Sequence, residues 1–394
     1  MLLNLIMVII AILISVPLMV IAIELFITLF SKAKALEVPE FQGAYQILMP
    51  AHNEAEIINQ TLADLLEASI LPSSILIVAD NCTDNTAEIA RELGVTVIER
   101  LNETHRGKGF ALDYGINYLK DNSPPNILII LDSDCQISSE SLNVLASMCK
   151  KEDRPTQALY LMRHGSGASL KQRVASFAWL VKNKVRPIAV NKLGLPVTLT
   201  GTGMAFPWHV IADINVAHGN IVEDMQLGID CTLNGFSPVF CEQAVVYSDF
   251  PDQVEAEQTQ RTRWEHGHLL TIVQQVPILL KQAIFQKDWR LFGLALDVGV
   301  PPISLLVLLS FSCLALFTIV SYAISSFSAL YILFPSVLIF SGMLIVIWYK
   351  FGRDYLTLKD LLSIPLYVIF KISIYVTFVF KRQKDWIRTN RIRK

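Results

Sequence analysis

Residues 2–30 form an almost unbroken apolar run, long enough as a helix to cross a hydrocarbon core that takes about 20 residues. A secretory leader is the rival reading. It fits poorly, because no basic stretch precedes the run, the run is too long, and no small-residue cleavage site comes after it. Lys32 and Lys34 come next, so the positive-inside rule places the amino terminus outside and the chain after residue 31 on the cytosolic side. From residue 46 to about 250 the pattern changes to short apolar, β-branched runs alternating with polar stretches of helical spacing, as in an α/β domain. Residues 46–49, 75–79, 95–99 and 127–131 read as strands, apolar enough to be central and covered on both faces. Residues 54–68 and 83–93 have the spacing of crossover helices, with Gly94 as a stop for the second and Thr83 or Asp84 as its cap.

Beyond the α/β texture, residues 252–288 mix charges with apolar residues at helical spacing, which predicts helices lying along a membrane surface. Residues 297–325 and 330–349 are two further runs of bilayer length, joined by an uncharged loop. Lys350 and Arg353 close the second, so the pair reads as a hairpin. Pro301 and Pro302 predict a broken helix at its start. Residues 361–380 are apolar too, but Pro365 and Lys371 interrupt them, and parity favours an interfacial helix over a fourth crossing. The expected organisation is a transmembrane helix at 1–31, a catalytic domain at 40–250, interfacial helices at 251–290, a transmembrane hairpin at 297–350, and an interfacial helix with a basic tail at 355–394.

Composition supports this division. The chain is 53 % hydrophobic, too apolar for an ordinary soluble enzyme. A formal net charge of -2 excludes a nucleic-acid binder, and the basic residues after 380 read as a membrane-surface anchor. The six cysteines include no CxxC pair and no zinc-ligand spacing, so reduced, buried thiols are expected. Three spans without an inverted repeat argue against a transporter.

Candidate chemistry lies at strand ends, where open α/β sheets bind ligands. The first strand runs into Pro50-Ala51-His52-Asn53-Glu54 and the second into Asp80. Arg106-Gly107-Lys108-Gly109 combines cations suited to phosphate with glycines that let backbone approach a ligand, though a plain basic turn explains it as well. The strongest local feature is the buried strand that ends in Asp132-Ser133-Asp134. Two carboxylates there are costly unless a cation offsets them, and Mg²⁺ or Mn²⁺ uses such oxygen ligands while bridging substrate phosphates. Glu223-Asp224 could be simple dipole-favoured acid at a helix start. Gln260, Arg263 and Trp264 share one helical face, which an interfacial helix would also produce. His266 and His268, just beyond, read as surface histidines of that helix. Glu24 and Asp297 are acids in or beside apolar spans and are functional candidates by position; Glu24 is otherwise hydrated near the interface.

Taken in order, the Pro-Ala-His-Asn-Glu strand end, Asp80, the DxD at Asp132 and Asp134, the acid pair Glu223-Asp224 and the QxxRW at Gln260 to Trp264 resemble the family 2 glycosyltransferases. The likeness is strongest to the membrane-bound branch of cellulose, hyaluronan and poly-N-acetylglucosamine synthases and ceramide glucosyltransferases. That resemblance implies a GT-A fold, Rossmann-like with a mostly parallel sheet, flanked by transmembrane helices. It implies a nucleotide-sugar donor, with Ala51, Asn53, Glu54 and Asp80 around a uridine, Lys108 near the diphosphate, and Asp132 and Asp134 on donor and metal. It further implies Asp224 as general base and Glu223, Gln260, Arg263 and Trp264 at the acceptor and diphosphate. Val222 departs from the family's usual Thr while leaving the acid pair intact. One base with in-line attack inverts the anomeric centre; a double-displacement hydrolase would leave DxD and QxxRW unexplained. The expected protein sits in a bacterial inner membrane with its catalytic domain in the cytosol. It transfers sugar to a lipid or to a growing glycan. Three spans are few for a polymer channel, which favours a lipid or short product. A non-catalytic scaffold of the same fold is the remaining alternative.

Overall fold

The computed structural model describes every residue except 32–40, 166, 218, 251–253, 365–370 and 382–394. The basic tail and part of the interfacial helix expected at 355–394 therefore lie outside the described residues. The chain divides into two units. One is an α/β unit of residues 41–164 and 196–267; the other holds residues 1–31, 165–195 and 268–381. The division does not match the linear boundaries expected from sequence, because Gly165–Leu195 groups with the apolar helices.

The α/β unit carries strands β1 Tyr45–Ala51, β2 Ile75–Asp80, β3 Thr96–Arg100, β4 Ile127–Ile130, β5 Gln136–Ile137, β6 Thr156–Arg163, β7 Met204–Pro207 and β8 Val239–Asp249. They form one sheet in the order β3-β2-β1-β4-β7-β6-β8-β5. The four strands expected from sequence are β1 to β4, and they pair in parallel. Every residue of β2 and β4 is buried, as a strand covered on both faces requires. Beyond β4 the sheet becomes mixed, with β7 antiparallel to both β4 and β6. The helices of this unit are α2 Ala55–Glu67, α3 Thr86–Glu92, α4 Lys108–Asn122, α5 Ser139–Glu152, α8 Trp208–Ile211, α9 Glu223–Leu233 and the start of α10 Val254–Gln286. Leu112, Ile116 and Leu119 of α4 pack with Leu48, Leu76, Val78, Leu128 and Phe206 of the sheet in one core. At about 1.5–3 kcal/mol for each fully buried large aliphatic side chain, such clusters supply most of the driving force.

The other unit comprises α1 Leu2–Leu29, α6 Leu170–Leu180, α7 Arg186–Lys192, the rest of α10, α11 Trp289–Val298, α12 Ile303–Ile324, α13 Ser328–Ile347, α14 Leu358–Leu362 and α15 Ile372–Lys381. Among the described residues, four segments are long and apolar enough to cross a membrane: Leu2–Leu29, Glu257–Gln286, Ile303–Ile324 and Ser328–Gly352. The second falls where helices lying along the surface are expected from sequence; it is part of a single helix of 33 residues. The expected break at Pro301 and Pro302 separates α11 from α12. Residues such as Leu13, Ile319 and Tyr331 are exposed, and in lipid they need no partner.

Two expectations fail here. Glu24 is not hydrated: it is 4 % exposed and its Oε2 accepts from Arg186 Nε at 2.6 Å. Arg186 Nη2 also donates to Asp297 Oδ1 at 2.6 Å, so one buried guanidinium binds acids of α1 and α11. His266 is not a surface histidine either, being 1 % exposed, and His268 Nε2 lies 3.3 Å from the Val298 carbonyl oxygen. Helical spacing alone cannot tell which side of a helix a second layer of structure covers.

Candidate active site

The parallel strands β2, β1 and β4 are neighbours, so their carboxyl ends lie side by side along one edge. Both β1 and β2 leave the sheet through an asparagine with positive φ, Asn53 at 56° and Asn81 at 51°. Asparagine is among the few residues with a side chain that visits this region routinely. The two turns brace each other. Asn53 Oδ1 accepts from Thr83 N at 2.6 Å, Glu54 N donates to Thr86 Oγ1 at 2.8 Å, and His52 Nδ1 lies 2.6 Å from Asp80 O. The residue at the N-cap of α3 is Asn85, without a side-chain cap bond, so neither Thr83 nor Asp84 is the cap, although Asp84 Oδ1 accepts from Thr86 N at 3.1 Å. Ala51, Asn53, Glu54 and Asp80 are thus gathered at one pair of strand ends. Asp80 is nearly buried and paired with Arg100, which sequence reasoning missed.

At the neighbouring end of β4, Asp132 N donates to Thr202 Oγ1 at 3.1 Å and Thr61 Oγ1 donates to Ser133 O at 2.7 Å, fixing the DxD turn. Asp132, Asp134 and Cys135 each place one ligand atom within 4.8 Å of the others. Two carboxylates in that arrangement suit a hard divalent cation, with the thiol a softer neighbour. Lys108, at the amino end of α4, is ion-paired with Asp132, lies 3.9 Å from Glu223 and donates to Gly201 O at 2.8 Å. Burial pulls the Lys108 ammonium down, but the charges of Asp132 and Glu223 outweigh it and hold it above its ordinary value.

Glu223 and Asp224 open α9, where the helix dipole favours acid. Burial pushes Glu223 up to about 7, against the pull of Lys108 and with help from the Asp224 charge. Asp224 is fixed in part by Met225 N, which donates to its Oδ1 at 2.8 Å. Gly201 faces this carboxylate: a Cβ there would sit 3.3 Å from Asp224 Oδ2 and 3.7 Å from Lys108 Nζ. Arg263 is within electrostatic reach of Glu223, Asp132 and Asp224. Gln260 is 2 % exposed, with Oε1 lacking a hydrogen-bond partner among the described residues; Trp264 is half-buried. Val222, the departure from the family pattern, packs against Gly267 so closely that a Cβ there would meet it at 2.6 Å.

Residues as far apart in sequence as Lys108, Asp132, Glu223, Asp224 and Arg263 therefore meet at one place. Gly201 and Thr202 belong with them, Arg100 belongs with Asp80, and all three escaped sequence reasoning. Only the Gly-Thr-Gly turn at 201–203 carried a visible signal, a glycine pair just before a strand.

Among curated proteins, the poly-beta-1,6-N-acetyl-D-glucosamine synthase of Staphylococcus aureus is 23 % identical over 247 residues, 60 % of this chain and 57 % of that protein. The chain thus spans little more than half the length of that relative. The 4,4'-diaponeurosporenoate glycosyltransferase of Staphylococcus haemolyticus is 30 % identical over 105 residues, 26 % of this chain and 27 % of that one. Among solved structures, a mannosyltransferase from Pyrobaculum calidifontis in complex with GDP-Man and Mn²⁺ matches 94 % of this chain and 100 % of its own, with TM-score 0.53 and 14 % identity. That likeness is one of fold, and it agrees with the GT-A arrangement of the sheet. Residues 42–267 match the family described as glycosyltransferase like family 2, and the chain belongs to that family.

Proposed function

We propose that this protein is a membrane-bound, metal-dependent inverting glycosyltransferase that takes sugar from a nucleotide-sugar donor, a UDP-sugar by preference, and passes it to a lipid or a growing glycan. The observation that carries this is the convergence of Lys108, Asp132, Glu223, Asp224 and Arg263 at the carboxyl edge of the sheet, beside Asp134. Ala51, Asn53, Glu54 and Asp80 line the nucleotide end. Asp132 and Asp134 would hold Mg²⁺ or Mn²⁺, which supplies positive charge for the departing diphosphate.

In the transfer, an acceptor hydroxyl oxygen attacks the anomeric carbon while the bond from that carbon to the diphosphate oxygen breaks. Asp224 takes the hydroxyl proton, and a single base with in-line attack inverts the centre. Lys108 and Arg263 stabilise charge on the leaving diphosphate. Glu223, Gln260, Arg263 and Trp264 face the acceptor. Gln260, Arg263 and Trp264 lie within Glu257–Gln286, a segment of membrane length, which supports an acceptor taken up at the lipid surface. Lys32 and Lys34 after the first span favour a cytosolic catalytic unit in a bacterial inner membrane.

Incubating membranes that carry the protein with a panel of labelled nucleotide sugars tests this. Organic-extractable product identifies a lipid acceptor. Ethanol-insoluble product identifies a processive synthase, a second reading favoured by the Staphylococcus aureus relative. Nucleotide binding without sugar transfer or release from any donor defeats the enzyme reading and leaves a scaffold.

A further inference from the structure

Asp80 and Arg100 end adjacent strands and are register partners. Arg100 Nη1 donates to Asp80 Oδ1 at 2.6 Å, and Asn81 Nδ2 donates to that same oxygen at 3.0 Å. The guanidinium has little room to swing. Its Nη2 donates to His105 O at 2.7 Å, its face lies 5.8 Å from the centre of the Phe110 ring, and the side chains of Arg100 and Asp80 are 9 % and 8 % exposed. Asn81 is pinned in turn, its Oδ1 accepting from Asn102 N at 2.8 Å. Oδ1 of Asp80 therefore holds two donors from the protein, while Oδ2 takes part in no hydrogen bond among the described residues.

We infer that Arg100 is a positioning residue that sets base specificity in the donor pocket, leaving Asp80 one open oxygen that selects a base offering a single hydrogen-bond donor. Uracil offers one, its imide N–H. Guanine offers two parallel donors, which match a carboxylate only when both oxygens are open; with Oδ1 taken, one guanine donor stays unmet, and an unmet buried donor is costly. Cytosine turns an unprotonated ring nitrogen towards the carboxylate and is refused as well. This deepens the donor-binding proposal and rests on it.

The test is calorimetric binding, in the presence of Mn²⁺, of UDP, N3-methyl-UDP, 2′-deoxy-UDP, CDP and GDP to the full-length protein in nanodiscs. The proteins compared are wild type, Arg100→Met and Arg100→Lys. One hydrogen bond to a charged group corresponds to about 10- to 100-fold in affinity, so the wild type should favour UDP over N3-methyl-UDP and GDP by that factor and tolerate 2′-deoxy-UDP. In Arg100→Met the methyl penalty and the UDP-to-GDP ratio should both fall towards one, with partial recovery in Arg100→Lys. A merely structural role would weaken all nucleotides alike and keep the ratios. The inference is overturned if the wild type binds GDP or N3-methyl-UDP as well as UDP. A penalty that falls on 2′-deoxy-UDP instead, or ratios that survive in Arg100→Met, overturn it too. Should Arg100→Met not fold, the wild-type comparison decides alone. Binding of no nucleotide defeats the donor-binding proposal itself, whereas tight binding without base preference defeats only this inference.

Discussion

Gly201→Ala asks whether the acid pair needs the geometry observed. Gly201 sits at φ +92°, where a residue with a Cβ is strained by about 1–2 kcal/mol. The added methyl would also lie 3.3 Å from Asp224 Oδ2 and 3.7 Å from Lys108 Nζ, so the carboxylate must give by a few tenths of an ångström. It cannot give freely, because Met225 N holds its other oxygen and Lys108 is tied to the carbonyl of Gly201 itself. Since a misplacement of about 1 Å can cost on the order of 100-fold in rate, a shift of this size should lower kcat about 10-fold, or about 1.4 kcal/mol. Gly235→Ala is the control. Gly235 has nearly the same φ, +90°, but nothing within 4 Å of its would-be Cβ, so it should lose stability without losing kcat. Labelled-sugar transfer and thermal unfolding on both variants separate the two effects. If Gly201→Ala kept kcat within about twofold, or lost no more than Gly235→Ala, the placement of Asp224 beside Gly201 would have no bearing on the chemistry.

Asp224→Asn should bind nucleotide as the wild type does and lose transfer by at least about 100-fold, the usual contribution of a general base; full turnover would remove the base assignment. Asp132→Ala and Asp134→Ala should each weaken Mn²⁺-dependent donor binding, read by calorimetry with and without metal, and equal binding in both conditions would contradict a metal role. Glu223, held near 7 in the folded protein and at its ordinary 4.5 when unfolded, binds more proton folded than unfolded between those values. Stability should therefore fall as pH rises through that window. Thermal unfolding from pH 4.5 to 7.5 should show a slope that flattens in Glu223→Gln; parallel curves would refute it. Arg186→Met leaves Glu24 and Asp297 without their shared guanidinium and should destabilise the helical unit by about 3–5 kcal/mol. Replacing all three by Gln, Met and Asn should recover most of that loss in detergent unfolding assays, and a triple variant no more stable than Arg186→Met would count against the triad.

The parts of the fold legible in advance are those where sequence carries local signal. The strands β1 to β4 were legible because each is a short apolar run between turn residues, and a run buried on both faces announces itself. The mixed half was not. β5 is two residues long, β7 four, and β8 holds partly exposed positions among buried ones, none of which separates from loop by period alone. The excursion Gly165–Leu195 was missed for a different reason. It returns to the α/β unit at Pro196, and its amphipathic helices resemble those of the domain it interrupts, so nothing in its composition states which unit it will join.

The same logic separates the site residues that were found from those that were not. Asp132, Asp134, Glu223 and Asp224 stand out because acids at the ends of apolar segments are costly, and cost is visible in a sequence. Arg100 and Gly201 bear no visible cost. Each is ordinary where it stands and acquires its role from a partner that only folding supplies: Arg100 through the register of β3 on β2, Gly201 through the return of a distant turn to Lys108 and Asp224. Motif reading therefore finds charges that need company and overlooks the groups that provide it. If that is so, variants of the overlooked residues should disturb the chemistry while leaving every recognisable motif intact, and Gly201→Ala and Arg100→Met are the two such variants the geometry singles out.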